Sequence, residues 1–269
     1  MSDSGKTFVV SRTEQLWQGS TRRSFLKMLG VGGTIVLAPG LFEACDAYNQ
    51  TAPGVTPGGS VSLNLSNDFG ILNYAYALEQ LEAAFYTAVV ASATFSTLNA
   101  EQQEVMLDLR NHEVIHREFL KLALGTNAIG ALSFNTTAVA STLTSAAVIF
   151  KNAQAFEDLG ISAYNGAGKY LKDSGYLTLA GKIVSVEARH AAAIRDIRDA
   201  APFNVRGATA AGTSFAGDDV VGTTGLDVKN EPSTVLATVG ATGLLTVNPT
   251  ISTPPSGTAT PDAPPPPTP

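Results

Sequence analysis

Four stretches of this chain repeat apolar residues at three- and four-residue steps, the period of a helix with one buried face. The first starts near Asp68, with Ser66 or Asn67 as its cap, and carries Ile71, Ala75, Leu78, Phe85 and Val89. The second runs from Asn99, a cap with Gln102 three residues on, to Leu124, where Gly125 stops it. Val105, Leu109, His112, Glu113, His116 and Leu120 share its face. The third spans roughly 141 to 172, capped by Ser141 or Thr142, with Val148, Glu157, Ile161 and Tyr164 on one side. Gly160, Gly166 and Gly168 weaken it locally and suit close helix approach. The fourth, roughly 175 to 199, ends before Pro202. Its stripe of Leu179, Ile183, Val186, Glu187, His190, Ile194 and Ile197 is the cleanest in the chain. Residues 126–140 show no helical period and are about long enough to travel along a bundle, as a crossover does, with Phe134 as anchor. The expectation is an all-α four-helix bundle over 67–201, with a crossover between the second and third helices and an irregular C-terminal extension.

The flanks read differently. Thr21-Arg22-Arg23-Ser24-Phe25-Leu26-Lys27 resembles a twin-arginine export signal, and a weakly apolar, Gly-rich run follows it. Cys45, the only cysteine, stands after Leu41-Phe42-Glu43-Ala44. A small residue before Cys resembles a lipoprotein cleavage box, from which Glu43 departs; lipid attachment and simple cleavage nearby both stand as readings. Residues 1–45 are thus read as an export signal and 46–66 as a flexible linker rich in turn formers. Residues 202–250 are read as an extended segment wrapping the bundle, with one short helix near Glu231 to Leu236. The Pro/Thr-rich stretch 251–269 is read as a disordered tail.

Some polar residues fall where apolar ones belong. Glu113 is followed by His116 and Glu187 by His190, each three residues on and so on one helix face. Glu79 is followed by Tyr86 and Glu157 by Tyr164, each seven residues on, two helical turns. The order Glu…Tyr…Glu-x-x-His therefore occurs twice. One Glu from each of two helices and a Glu-x-x-His from each of two others is the ligand set of a two-metal carboxylate site in a bundle core. Four carboxylates and two neutral imidazoles contribute about −4 in charge, which two divalent ions cancel; iron and manganese both suit such donors. Glu82, also on the apolar side of its helix, rivals Glu79. His112-Glu113-Val114-Ile115-His116 also matches the zinc protease pattern H-E-x-x-H, which leaves Glu79, Glu157, Glu187 and His190 unexplained.

Composition narrows the classes. The chain has 269 residues, 44% hydrophobic, with a formal charge of −6 and no basic stripe, which argues against nucleic acid as a partner. One cysteine rules out an internal disulfide and a zinc–thiolate cluster.

Tyr76-Ala77-Leu78-Glu79-Gln80-Leu81-Glu82-Ala83-Ala84-Phe85-Tyr86, Asn111-His112-Glu113-Val114-Ile115-His116-Arg117-Glu118-Phe119-Leu120 and Val186-Glu187-Ala188-Arg189-His190-Ala191-Ala192 resemble the ferritin-like superfamily, and within it exported proteins related to plant desiccation-associated proteins. The resemblance implies Glu79, Glu113, His116, Glu157, Glu187 and His190 as ligands of two iron or manganese ions. It implies Tyr86 and Tyr164 as donors to the Glu of the opposite half. It also implies an oxidoreductase of ferroxidase, peroxidase or catalase type that meets oxygen or peroxide; the twin-arginine signal puts it at the cell envelope, and the bundle's outer faces leave room for a homodimer. A non-catalytic stress or desiccation scaffold on the same bundle is the alternative.

Overall fold

The computed structural model describes residues 61–199 and 225–256; residues 1–60, with the expected export signal, Cys45 and most of the expected linker, and the segments 200–224 and 257–269 lie outside the described residues. Within them the order is β1 (Ser62–Asn64), α1 (Asp68–Ala91), α2 (Ala100–Leu124), α3 (Thr136–Ser141), α4 (Ala146–Ala167), α5 (Ser174–Asp199), α6 (Pro232–Ala241) and β2 (Thr250–Thr253). The four long helices α1, α2, α4 and α5 form the bundle, α1 packing on α2 and α4 on α5 as two hairpins that then meet. No described helix is long and apolar enough to cross a membrane.

The caps explain where the helices begin. The Asn67 side chain accepts from Gly70 N and starts α1. Asn99 and Gln102 bond each other's backbone N–H groups in a reciprocal capping box at the start of α2. The third bundle helix begins later than the pattern suggests. Ser145, not Ser141 or Thr142, caps α4 by accepting from Val148 N. The run Ser141-Thr142-Leu143-Thr144-Ser145 offers several capping groups, and the first two are spent closing α3: Ser141 Oγ donates to Ala138 O and Thr142 Oγ1 to Val139 O. The short helix α3 is itself a departure from the expected structureless crossover. A helix of six residues is too short to show a period in sequence.

The crossover is tied down on both sides. Asn73 Nδ2 donates to Asn127 O, Asn73 Oδ1 accepts from Ile129 N, and Gln80 Oε1 accepts from Leu132 N, each at 2.8 Å. Phe134 packs half-buried against the core and bridges to Leu245 of the C-terminal segment. That segment then returns along α4: Asn230 N donates to Ser162 O at 2.9 Å, and Pro232, Val235, Leu236 and Val239 of α6 are buried.

Two sequence expectations give way at the ends. The stretch 46–66 finishes in β1, and 251–269 begins in β2; the strands pair in parallel, Ser62 opposite Thr250 and Leu63 opposite Ile251. Leu63 and Leu65 are each only 1% exposed, the inward members of an in–out alternation too brief to stand out beside a Gly/Pro-rich run.

Gly166 shows why α4 carries glycines. A Cβ there would lie 1.8 Å from the backbone oxygen of Asn230. Backbone cannot swing aside as a side chain can, so Gly166→Ala must push the C-terminal segment off the bundle. The expected cost is about 1–3 kcal/mol of stability, read as a lowered melting temperature, and a melt indistinguishable from wild type would refute this packing.

Candidate metal centre

The polar members of the apolar stripes meet inside the bundle. Glu79 comes from α1, Glu113 and His116 from α2, Glu157 from α4, and Glu187 and His190 from α5. All four carboxylates are 0% exposed, and His190 and His116 nearly buried. Their donor atoms form two groups, in each of which all lie within 4.8 Å of one another: Glu79, Glu113, His116, Glu187, and Glu113, Glu157, Glu187, His190. Glu113 and Glu187 belong to both. The imidazoles reach across the bundle more closely than along their own helix. His116 Nδ1 lies 2.8 Å from Glu187 Oε1 but 3.6 Å from Glu113 Oε2, and His190 Nδ1 lies 2.8 Å from Glu113 Oε1 but 3.3 Å from Glu187 Oε2.

The two tyrosines complete the mirrored pattern. Tyr86 Oη donates to Glu157 Oε1 and Tyr164 Oη to Glu79 Oε1, each at 2.5 Å. Each bond ties one hairpin to the other. Each also occupies one carboxylate oxygen and leaves its twin, Glu157 Oε2 or Glu79 Oε2, directed to the cluster, 3.3 Å from His190 Nδ1 or 3.5 Å from His116 Nδ1.

The electrostatics are those of crowded acids. Burial raises the Glu79 carboxyl well above the ordinary range, and the Glu187 charge raises it further. Burial does the same to Glu157, against the pull of His190. Glu187 goes the other way: burial disfavours its charge, but the hydrogen bonds of His116 and His190 outweigh this and bring it to about 2. Burial likewise opposes charge on the imidazoles, yet Glu113, Glu187 and Glu79 push His116 up to about 12, and Glu113, Glu157 and Glu187 do so for His190. Protons collect here because the pocket is negative.

Glu82 and His112 occupy places that spacing alone does not reveal. Glu82 is buried but enters neither group. A Cβ on Gly160 would stand 2.9 Å from its Oε1, so the glycine leaves room for this extra carboxylate. Burial, then the charges of Glu113, Glu187, Glu157 and Glu79, raise its pKa well above the usual range. His112 is exposed on α2 and outside both groups. Its ring lies within 14° of the His190 plane with centroids 5.1 Å apart, edge to edge, so that its Nδ1 is 2.9 Å from His190 Nε2. Burial, then the neighbouring imidazoles His190 and His116, lower its pKa, which suits it to accept a hydrogen bond from His190. The H-E-x-x-H spacing pointed His112 toward His116; its contact is with a residue of another helix.

The donor set fits divalent cations. Glu79 Oε2, both oxygens of Glu113, Glu157 Oε2, Glu187 Oε1 and His116 Nδ1 are buried without a well-directed hydrogen bond, although several lie within 4 Å of one another. Buried oxygens that converge and lack donors need positive charge between them. Carboxylate oxygens with one imidazole nitrogen per group suit iron or manganese. Residues 67–200 match the ferritin-like domain family. No curated protein matches the chain.

The protonation pattern gives a pH dependence for protein stripped of metal. His116 and His190 have raised values, so their contribution to stability is complete below the unfolded value of 6.5 and is lost as pH rises toward about 12. The raised Glu79, Glu82 and Glu157 act in the same direction from 4.5 upward. Glu187, lowered to about 2, loses its contribution as pH falls from 4.5 toward that value. Chelator-treated protein should melt highest in mildly acidic buffer and progressively lower from neutral to alkaline pH; a melting temperature that climbs with pH would contradict the arrangement.

Proposed function

With residues 67–200 a ferritin-like domain, we propose that the chain is an exported di-metal carboxylate protein that reacts with dioxygen or peroxide and protects the cell envelope under oxidative or desiccation stress. The observation that carries this reading is the sharing of Glu113 and Glu187 between two donor groups. Glu79 and His116 would complete one ion's ligands, and Glu157 and His190 the other's. A pair of iron or manganese ions held this way would supply two electrons, enough with two protons to take one peroxide to two waters or one dioxygen to peroxide.

The chain's own residues prepare for that chemistry. Tyr86 and Tyr164 hold Glu157 and Glu79 in place and keep their own protons, because burial and then the adjacent carboxylate raise both phenols. His112 accepts from His190 Nε2 and so leaves His190 Nδ1 free to face the carboxylates. The exposed ring of His112 and the partly exposed His116 mark the side, between α2 and α5, from which ions and polar oxidants reach the cluster. Export by the twin-arginine route, on which Thr21 to Lys27 bears, carries folded proteins and suits a centre loaded beforehand. Attachment through lipid on Cys45 belongs to the same proposal.

Metal analysis of protein from its export host should find about two iron or manganese ions per chain. Added oxidant should oxidise bound Fe(II), and Glu113→Ala should abolish both loading and oxidation. One zinc per chain, or no metal, would overturn the reading. His112→Phe should keep the fold but weaken metal binding roughly ten- to a hundredfold; an unchanged affinity would remove His112 from the site.

A further inference from the structure

The internal repeat that builds the centre is broken at one end of it. Aligning Glu79 with Glu157 and Tyr86 with Tyr164 also aligns Phe85 with Ala163 and Phe156 with Leu78. At the Tyr86 end, Phe85 and Phe156 meet edge to face at 4.8 Å and fill the space beside the tyrosine. At the Tyr164 end their counterparts are the smaller Ala163 and Leu78. A cavity of about 20 Å³ opens there.

Its place is set by helix register. All four bundle helices line it, with Ala75, Leu78, Leu120, Tyr164 and Ile183 among the walls. Ala75 stands four residues before Glu79, Leu120 four after His116, and Ile183 four before Glu187. Four residues is about one helical turn, roughly 5.4 Å, so the cavity lies one turn along the bundle from the carboxylates. Tyr164 forms the partition, with its hydroxyl spent on Glu79.

Its chemistry is hydrocarbon. The only side-chain polar groups among its lining residues are the hydroxyls of Tyr74 and Tyr164. A water needs two to four polar partners to stay in such a space, and an apolar cavity otherwise remains dry and takes up small apolar molecules. Its volume suits one small molecule, since a single water-sized probe needs about 10–15 Å³. Peroxide, which needs several hydrogen-bond partners, is disfavoured there, because the one hydroxyl of the lining without a partner is that of Tyr74.

We propose that this cavity binds dioxygen and delivers it past Tyr164 to the metal centre, while peroxide arrives from the His112 side. The delivery step rests on the di-metal reading; the binding step does not. The test uses the full chain. In metal-free, methyl-labelled protein under dissolved dioxygen, the methyls of Leu78, Leu120 and Ile183 should relax several-fold faster than those of Ile149 and Leu109, away from the cavity. Leu78→Phe, or Ala163→Phe as a second filling variant, restores the residue of the opposite half and should abolish that excess. In Fe(II)-loaded protein, the filling variant with wild-type melting and metal content should slow oxidation by dioxygen several-fold and leave oxidation by peroxide unchanged. No excess relaxation in wild type overturns the binding step. Relaxation without selective slowing overturns delivery. Relaxation in a protein whose metal reacts with neither oxidant sinks the proposed function and leaves the dioxygen site standing.

Discussion

Four glutamates with no exposed surface, close enough that two of them serve both donor groups, are the constraint to which the rest of this bundle answers. A buried ionised carboxylate costs several kcal/mol unless a counter-charge or donor meets it. Here the compensation comes in layers. Tyrosine hydroxyls take one oxygen each from Glu79 and Glu157, imidazoles crowd the remaining oxygens, and Glu187 stays charged because two rings face it. What these donors leave unsatisfied defines the space for cations.

The cross-bundle contacts also decide how the hairpins meet. The short contacts of His116 with Glu187 and of His190 with Glu113 join α2 to α5, and the tyrosine bonds join α1 to α4. Apolar stripes alone specify which face is buried but tolerate sliding along the axis. Directed polar contacts remove that freedom, so the centre fixes the relative height of the two hairpins.

Much of this was legible in sequence, for reasons that particular residues make plain. Glu187 and His190 interrupt a clean apolar stripe, and Glu113 and His116 do the same in α2, so period alone exposed them. Asn99 with Gln102 announced a helix start by a local rule that needs no tertiary context. The start of α4 was not legible, because Ser141, Thr142 and Ser145 compete as caps and only packing chooses among them. Only the matched seven-residue spacing to Tyr86 set Glu79 apart from its rival Glu82, and the room that Gly160 leaves for Glu82 across the bundle has no local signature. The His112–His190 contact joins residues 78 apart, and nothing local encodes it. The β1–β2 pairing was hidden for a similar reason, its partners lying at opposite ends of the described chain.

That pairing has a mechanical side. The first and last described strands run parallel, Ser62 opposite Thr250 and Asn64 opposite Thr253, so the polypeptide enters the pair at one end and leaves it at the other. A pull on both ends would drag the two strands in opposite directions along their shared hydrogen bonds, loading those bonds together in shear. Force applied through a tether would be resisted at this clasp before it reached the helices, and the cluster between them would keep its shape while the ends bore the strain.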